Sequence, residues 1–124
     1  MTRDFQRTDR VGAQLQRELS SLIHNQVDEP GLGMVTVQEV RVVRDFSQAK
    51  VFYTVMDNAL SREECTKRLN QAAGHLRWLL GRELKLRTVP KLLFVYDESV
   101  EQGERLATLI DQAVAADHAP DEAD

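Results

Sequence analysis

The spacing of hydrophobic residues changes abruptly at Asp28-Glu29-Pro30-Gly31. Before this segment, apolar residues recur at intervals of three and four from Val11 to Ile23, as on one face of a helix. Proline cannot continue a helix and glycine opens a turn. We therefore expect a first helix from about Thr8 or Asp9, either of which can cap it, to about Gln26.

The segment Met34–Val43 is rich in β-branched residues and is predicted to be a strand. Two early valines lie in one phase of the strand and two later valines in the other. A strand cannot change its buried face without a bulge, so we place a bulge near Gln38-Glu39. The two pairs are Val35 with Val37 and Val40 with Val42. A second strand, Ala49–Met56, follows after a short turn, which predicts antiparallel pairing.

A longer helical segment follows Ser61, which has Glu64 three residues later as in a capping box. Its apolar stripe continues across a glycine, Gly74. Glycine costs roughly 0.5–1 kcal/mol inside a helix, so we expect a bend there, or two helices meeting at Gly74. The stripe consists of Leu69, Ala72, Ala73, Leu76, Leu79, Leu80 and Leu84.

A third strand, Leu92–Tyr96, and a last helix beginning at Ser99 complete the pattern. The order α-β-β-α-(kink)-α-β-α predicts an α+β fold in which helices cover one face of a three-stranded sheet. We expect one domain over residues 1–116 and a disordered acidic tail over residues 117–124.

Composition excludes several classes of protein. The 124 residues are 42% hydrophobic, enough for one core, and no apolar run approaches the roughly 20 residues of a membrane span. The N-terminal residues do not resemble a secretory signal. Cys65 is the only cysteine, which fits a reducing cytoplasm. These features predict a cytoplasmic protein that does not enter the membrane.

We find no pattern typical of a catalytic or metal site. The three histidines are far from one another and from Cys65, so no zinc site is predicted. The acids around the start of the last helix are better explained as partners of the helix dipole than as a catalytic pair. We therefore expect neither an enzyme nor a cofactor.

The net charge of −4 conceals a strong asymmetry. Residues 98–124 hold eight acids and one arginine, whereas residues 65–91 hold seven cations and one acid. Local fields, not totals, steer a polyanion to a surface. The seven cations are Lys67, Arg68, Arg77, Arg82, Lys85, Arg87 and Lys91.

Helical geometry places Arg77, Trp78 and Arg82 away from the apolar stripe. An uncompensated cationic face favours RNA contact over an ordinary solvated face, although both interpretations stay open. Trp78 either stacks on a base or packs against a neighbouring element of the protein.

Several short motifs follow one another in a specific order along the chain. They are Arg10-Val11, the segment 28–33, Asp45-Phe46-Ser47-Gln48-Ala49-Lys50-Val51, Ala72-Ala73-Gly74-His75-Leu76-Arg77, Arg87-Thr88-Val89-Pro90 and Tyr96-Asp97-Glu98-Ser99. Together these motifs resemble the ribosome-binding factor A family over about residues 5–110. Two departures stand out: Phe46 replaces the usual Leu, and Trp78 stands where a smaller residue is expected.

The resemblance implies a type II KH-like fold with a three-stranded mixed sheet. Related folds grip a nucleic-acid backbone with a Gly-x-x-Gly loop, which this family replaces by the kink matched here by Ala72-Ala73-Gly74. The resemblance also implies a monomeric late assembly factor without a cofactor. It would bind the immature small (30S) subunit and 16S rRNA, support 16S rRNA 5′-end maturation and matter most in the cold. The alternatives are a KH-like module for other single-stranded RNA or DNA, and a protein-interaction module using the acidic last helix.

We predict two groups of RNA-binding residues. The first group is Ala72, Ala73, Gly74, Arg77, Arg82, Lys85 and Arg87. The second, less central group is Arg7, Arg10, Lys50, Lys67, Arg68, Trp78 and Lys91.

Overall fold

The computed structural model describes the backbone of residues 2–86 and 88–123 and the side chains of residues 7–86, 88–99, 101–103 and 105–114. Three helices and three strands follow one another in the order α-β-β-α-β-α. They are α1 (Thr2–Gln26), β1 (Met34–Val42), β2 (Gln48–Met56), α2 (Arg62–Glu83), β3 (Lys91–Tyr96) and α3 (Ser99–Ala123).

The three strands form one mixed sheet in the order β1-β2-β3, with β1 antiparallel and β3 parallel to β2. The predicted bulge is confirmed at Gln38, which lies between the paired residues Val37 and Glu39. The extra residue returns Val40 to the same face as Val37, and both are buried. The bulge therefore lets valines before and after it face the same core.

The bulge is held by a side chain from α1. The amide nitrogen of Gln16 donates hydrogen bonds to the carbonyl oxygens of Val37 and Gln38, both at 3.1 Å. These two acceptors lie where the strand pairing is interrupted, so Gln16 supplies the donor that the sheet lacks there.

α1 and α2 pack on one face of the sheet, as predicted. The core contains buried residues from both helices and all three strands: Leu15, Leu19, Leu22, Ile23, Val37, Val40, Ala49, Val51, Tyr53, Cys65, Leu69, Ala73, Leu76, Leu80, Leu92 and Phe94. At the outer edge of β3, the Phe94 N–H donates to Asn70 Oδ1 at 2.8 Å and Asn70 Nδ2 donates to the Phe94 carbonyl at 3.2 Å. Asn70 thus pairs with β3 as another strand would.

The predicted kink at Gly74 is wrong. α2 runs without interruption from Arg62 to Glu83, and Gly74 does not have a positive φ. Leu69 and Leu76, on either side of Gly74, are both fully buried. Core packing on both sides outweighs the roughly 0.5–1 kcal/mol that glycine costs a helix.

α1 begins earlier than predicted, at Thr2 instead of Thr8 or Asp9. No proline or glycine interrupts residues 2–7, so nothing local ends the helix before the predicted cap. At the other end of the chain, α3 is helical to Ala123 and includes most of residues 117–124. Disorder of that acidic segment, and its separation from a domain over residues 1–116, stay predictions.

α3 does not lie on the sheet. Its described apolar side chains, Leu106, Leu109, Ile110 and Val114, are between 47% and 58% exposed. One link from its first turn to the sheet side of the molecule is an ion pair between Glu101 and Arg62, whose guanidinium lies 4.2 Å from the Tyr96 ring centroid.

Candidate nucleic-acid interface

A shallow groove of about 530 Å³ lies along the solvent face of α2. Two glycines, Gly74 and Gly81, line it about two helical turns apart. A methyl group on Gly74 would meet no atom within 4 Å, and one on Gly81 would meet Val89 at 3.7 Å. Because neither position carries a side chain, a ligand can approach the backbone of α2 closely here.

An exposed aromatic cluster borders this groove. Trp78 is 57% exposed, and the Arg82 guanidinium lies 5.0 Å from the centroid of its indole ring. The His75 ring stacks on the same indole at 6.0 Å with an interplanar angle of 21°. Trp78 therefore does not pack into the core. An indole next to a guanidinium is a platform on which a base can stack.

Arg77 has a structural contact as well as a place in the groove. Its Nε donates a hydrogen bond to the Val89 carbonyl at 3.0 Å, across the loop between α2 and β3. The side chain is half-buried. Removing Arg77 would therefore disturb the loop as well as the charge, whereas Arg82 is exposed and its guanidinium lies over the Trp78 ring.

The cations at the start of α2 are separate from this groove. Arg68 forms an ion pair with Glu29, with Nη1 3.1 Å from Oε2, so its charge is compensated. Lys67 is exposed. Because Arg68 is already paired, this end of α2 offers a weaker anion site than its sequence predicts.

The two alanines of the Ala72-Ala73-Gly74 motif are less exposed than its glycine. Ala73 faces the core with 9% of its surface exposed, and Ala72 is half-buried, whereas Gly74 is exposed. The side chain of Ala73 is thus not available to a ligand at this surface. Of the three residues, Gly74 alone lines the groove.

The remaining predicted cations lie on other surfaces. Lys85 is exposed just after α2. Lys50 and Lys91 are exposed on adjacent strands, where Lys91 lies opposite Gln48 and Lys50 opposite Leu93. Arg87 lies outside the described residues.

Arg7 and Arg10 line a second cavity, with Phe46 from the turn between β1 and β2. Sequence reasoning did not include Gly81, His75 or Phe46 in any site. Gly81 follows Gly74 by seven residues and His75 precedes Trp78 by three, so helical spacing could have identified both. No spacing rule connects Phe46 with Arg7, because they belong to different elements.

The described residues contain neither a metal site nor an accessible thiol. They contain no group of three or more His, Cys, Asp or Glu side chains that could hold a metal ion. Burial raises the pKa of the Cys65 thiol, so that thiol stays protonated and is a poor nucleophile. None of the helices in the described part of the chain could cross a membrane.

The sequence of the chain matches a known protein family over most of its length. The family model for ribosome-binding factor A matches residues 7–110. The chain belongs to the ribosome-binding factor A family. It is 51% identical over 119 residues to ribosome-binding factor A from Thioalkalivibrio sulfidiphilus, covering 96% of this chain and 92% of that relative. The corresponding factor from Pseudomonas aeruginosa is 50% identical, with 98% of each chain covered.

Solved structures of the family share the fold. The crystal structure of ribosome-binding factor A from Thermus thermophilus matches with a TM-score of 0.63 and 29% identity, covering 72% of this chain and 94% of that one. A homology model of the Thermus thermophilus factor, fitted into a cryo-electron microscopy map of its 30S complex, matches with a TM-score of 0.59 over 70% of this chain and 91% of that one. The α+β, KH-like architecture implied by the sequence motifs is thus confirmed.

Proposed function

We propose that this chain is a cytoplasmic assembly factor that binds the small ribosomal subunit and its 16S rRNA without a catalytic step or a cofactor. The observation that carries the proposal is family membership joined to the 30S complex of the Thermus thermophilus factor, which shares this fold at 29% identity. The groove on α2 supports it, because exposed glycines next to Arg82 and Trp78 suit a nucleic-acid backbone and its bases.

The finer role follows from the motif resemblance. We propose that the protein acts as a monomer on immature particles late in assembly, supports maturation of the 16S rRNA 5′ end, and is needed most at low temperature. A strain lacking the protein should accumulate 16S rRNA with an unprocessed 5′ end, more in the cold than in the warm. Equal 5′ ends with and without the protein at both temperatures would contradict this role.

Binding to other single-stranded RNA or DNA is the second candidate. The exposed indole of Trp78 favours it, because stacking platforms are tolerant of sequence. Co-sedimentation of the protein with immature and mature small subunits, with and without excess single-stranded RNA, separates the two. We expect retention on immature particles despite the competitor. Complete release by the competitor would favour the generic module.

A further inference from the structure

A cavity of about 380 Å³ lies where three segments meet: the early turns of α1, the β1–β2 turn and the segment after α2. Its size falls within the range of small-molecule sites. Val11 and Leu86 provide apolar walls, Phe46 provides an aromatic ring, and Arg7 and Arg10 provide cations.

The ring of Phe46 is held in place by an unusual turn. Phe46 has a φ of 62°, a conformation that bulky side chains rarely adopt. The Asp45 carboxylate stabilises the turn, since one of its oxygens accepts hydrogen bonds from the Ser47 N–H at 3.0 Å and the Ser47 hydroxyl at 2.6 Å. Backbone strain of this kind, held by its surroundings, often accompanies binding sites.

Two arginines and one carboxylate set the charge of the cavity. The Arg7 guanidinium lies 5.5 Å from the centroid of the Phe46 ring. Arg10 is exposed and forms no ion pair with any described side chain. One oxygen of Asp45 accepts two hydrogen bonds from Ser47, which hold the pKa of its carboxyl below the usual value and keep it negatively charged. The cavity therefore joins an aromatic, apolar interior to two cations and one anion, and its cations are in excess.

We propose that this cavity binds one unstacked nucleotide of single-stranded RNA, with the base against Phe46 and the phosphate on Arg10 and Arg7. A flat ring between apolar walls suits a base, and exposed guanidinium groups suit its phosphate. An aliphatic anion would leave the ring unused, and an apolar ligand would leave the arginines unpaired. The proposal rests on the proposed function and adds an rRNA contact separate from the α2 groove.

The test uses the full-length ¹⁵N-labelled protein with two probes, a six-nucleotide single-stranded RNA and free adenosine 5′-monophosphate. Amide chemical shifts of Val11, Phe46, Ser47 and Leu86 report on the cavity, and those of Gly74 and Gly81 report on the α2 groove. Fluorescence anisotropy with the labelled RNA gives the Kd. Phe46→Leu removes the aromatic ring, Arg10→Gln removes a charge without touching the turn, and Arg17→Gln is the charge-matched control on the same helix.

We expect both probes to shift the cavity amides, with the RNA binding more tightly because its neighbouring phosphates add contacts. Phe46→Leu should raise the Kd for RNA by about fivefold or more, as loss of a stacking contact does. Arg10→Gln should raise it also and lower its salt dependence, and Arg17→Gln should leave it unchanged.

Three results would overturn the proposal. Cavity amides that do not move with either probe would do so, as would wild-type affinity in both Phe46→Leu and Arg10→Gln. Free nucleotide binding as tightly as the RNA would instead indicate a mononucleotide site. Failure of the proposed function has a different signature, because the wild-type protein would then not sediment with immature small subunits.

Discussion

Gly12 and Gly74 are both helical glycines, yet a methyl group should have opposite effects at the two positions. At Gly12 it would lie 2.5 Å from the Val40 carbonyl oxygen, whereas at Gly74 it would meet nothing within 4 Å. We predict that Gly12→Ala lowers the free energy of unfolding by about 1–3 kcal/mol, because α1 must move away from β1. Gly74→Ala should raise it by about 0.4–1 kcal/mol. Urea unfolding measures both, and a destabilised Gly74→Ala variant would contradict the structure.

The sequence pattern pointed to the wrong one of these two glycines. Gly74 attracted attention because it interrupts an apolar stripe, a feature visible within one helix. The need for glycine at Gly12 arises from the close approach of α1 to Val40, a residue in a different element. Periodicity assigns a residue to a face of its own helix but not its distance from the next element.

Cys65 should be unreactive in the folded protein. Its side chain is fully buried, and burial raises the pKa of the thiol. We predict that native protein at pH 8 reacts with iodoacetamide far more slowly than urea-unfolded protein. Equal labelling of native and unfolded protein would contradict the burial of Cys65.

Burial also raises the pKa of the Tyr53 hydroxyl. The folded state therefore holds the Cys65 and Tyr53 protons more tightly than the unfolded state does. We predict that the free energy of unfolding falls as pH rises above about 9.

At the scale of elements, the contact between α1 and the β1 bulge is open to a direct test. Gln16→Met keeps the approximate size of the side chain but removes the donor for the carbonyls of Val37 and Gln38. We predict a loss of about 1–3 kcal/mol in the free energy of unfolding, since both acceptors lose a partner. Gln71→Met, at an exposed position of α2, is the matched control and should change it by less than about 0.5 kcal/mol. Equal stability of the two variants would show that the bulge needs no donor from α1.

Most helices and strands were predictable because the spacing of their apolar residues repeats every two to four positions. The phase change from Val37 to Val40 located the bulge, and the short segment after β1 predicted antiparallel pairing with β2. The continuity of α2 was not predictable from Gly74, because it depends on how well both halves pack on the sheet. The exposure of Ile110 and its neighbours on α3 was not predictable either, since an apolar stripe does not say whether a partner surface is within reach.

At the scale of the whole molecule, the C-terminal segment should be dispensable for folding. The described side chains of α3 up to Val114 are not in the core. We predict that a chain ending at Ala116 keeps the Tm of the full chain and binds immature particles at least as well, because it loses acids that repel rRNA. A fall of several degrees in Tm on truncation would show that residues 117–124 contribute to packing.

The candidate site was only partly predictable. The composition of residues 65–91 identified this segment as basic, but the fold places its cations on separate surfaces. Arg68 is neutralised by Glu29 from another segment, and Lys91 lies on the sheet instead of α2. Two of the seven cations in residues 65–91, Arg77 and Arg82, line the groove with Trp78. Ion pairs between distant segments decide which cations are available to a ligand. Local composition does not reveal such pairs.

We propose that the α2 groove contacts rRNA. The most direct test is the salt dependence of affinity for immature small subunits, compared among wild type, Arg82→Gln and the control Arg17→Gln. We predict that Arg82→Gln weakens binding and lowers the slope of log affinity against log salt by about one unit per lost phosphate contact, while Arg17→Gln matches wild type. A slope and affinity for Arg82→Gln equal to those of wild type, with its Tm unchanged, would contradict the claim.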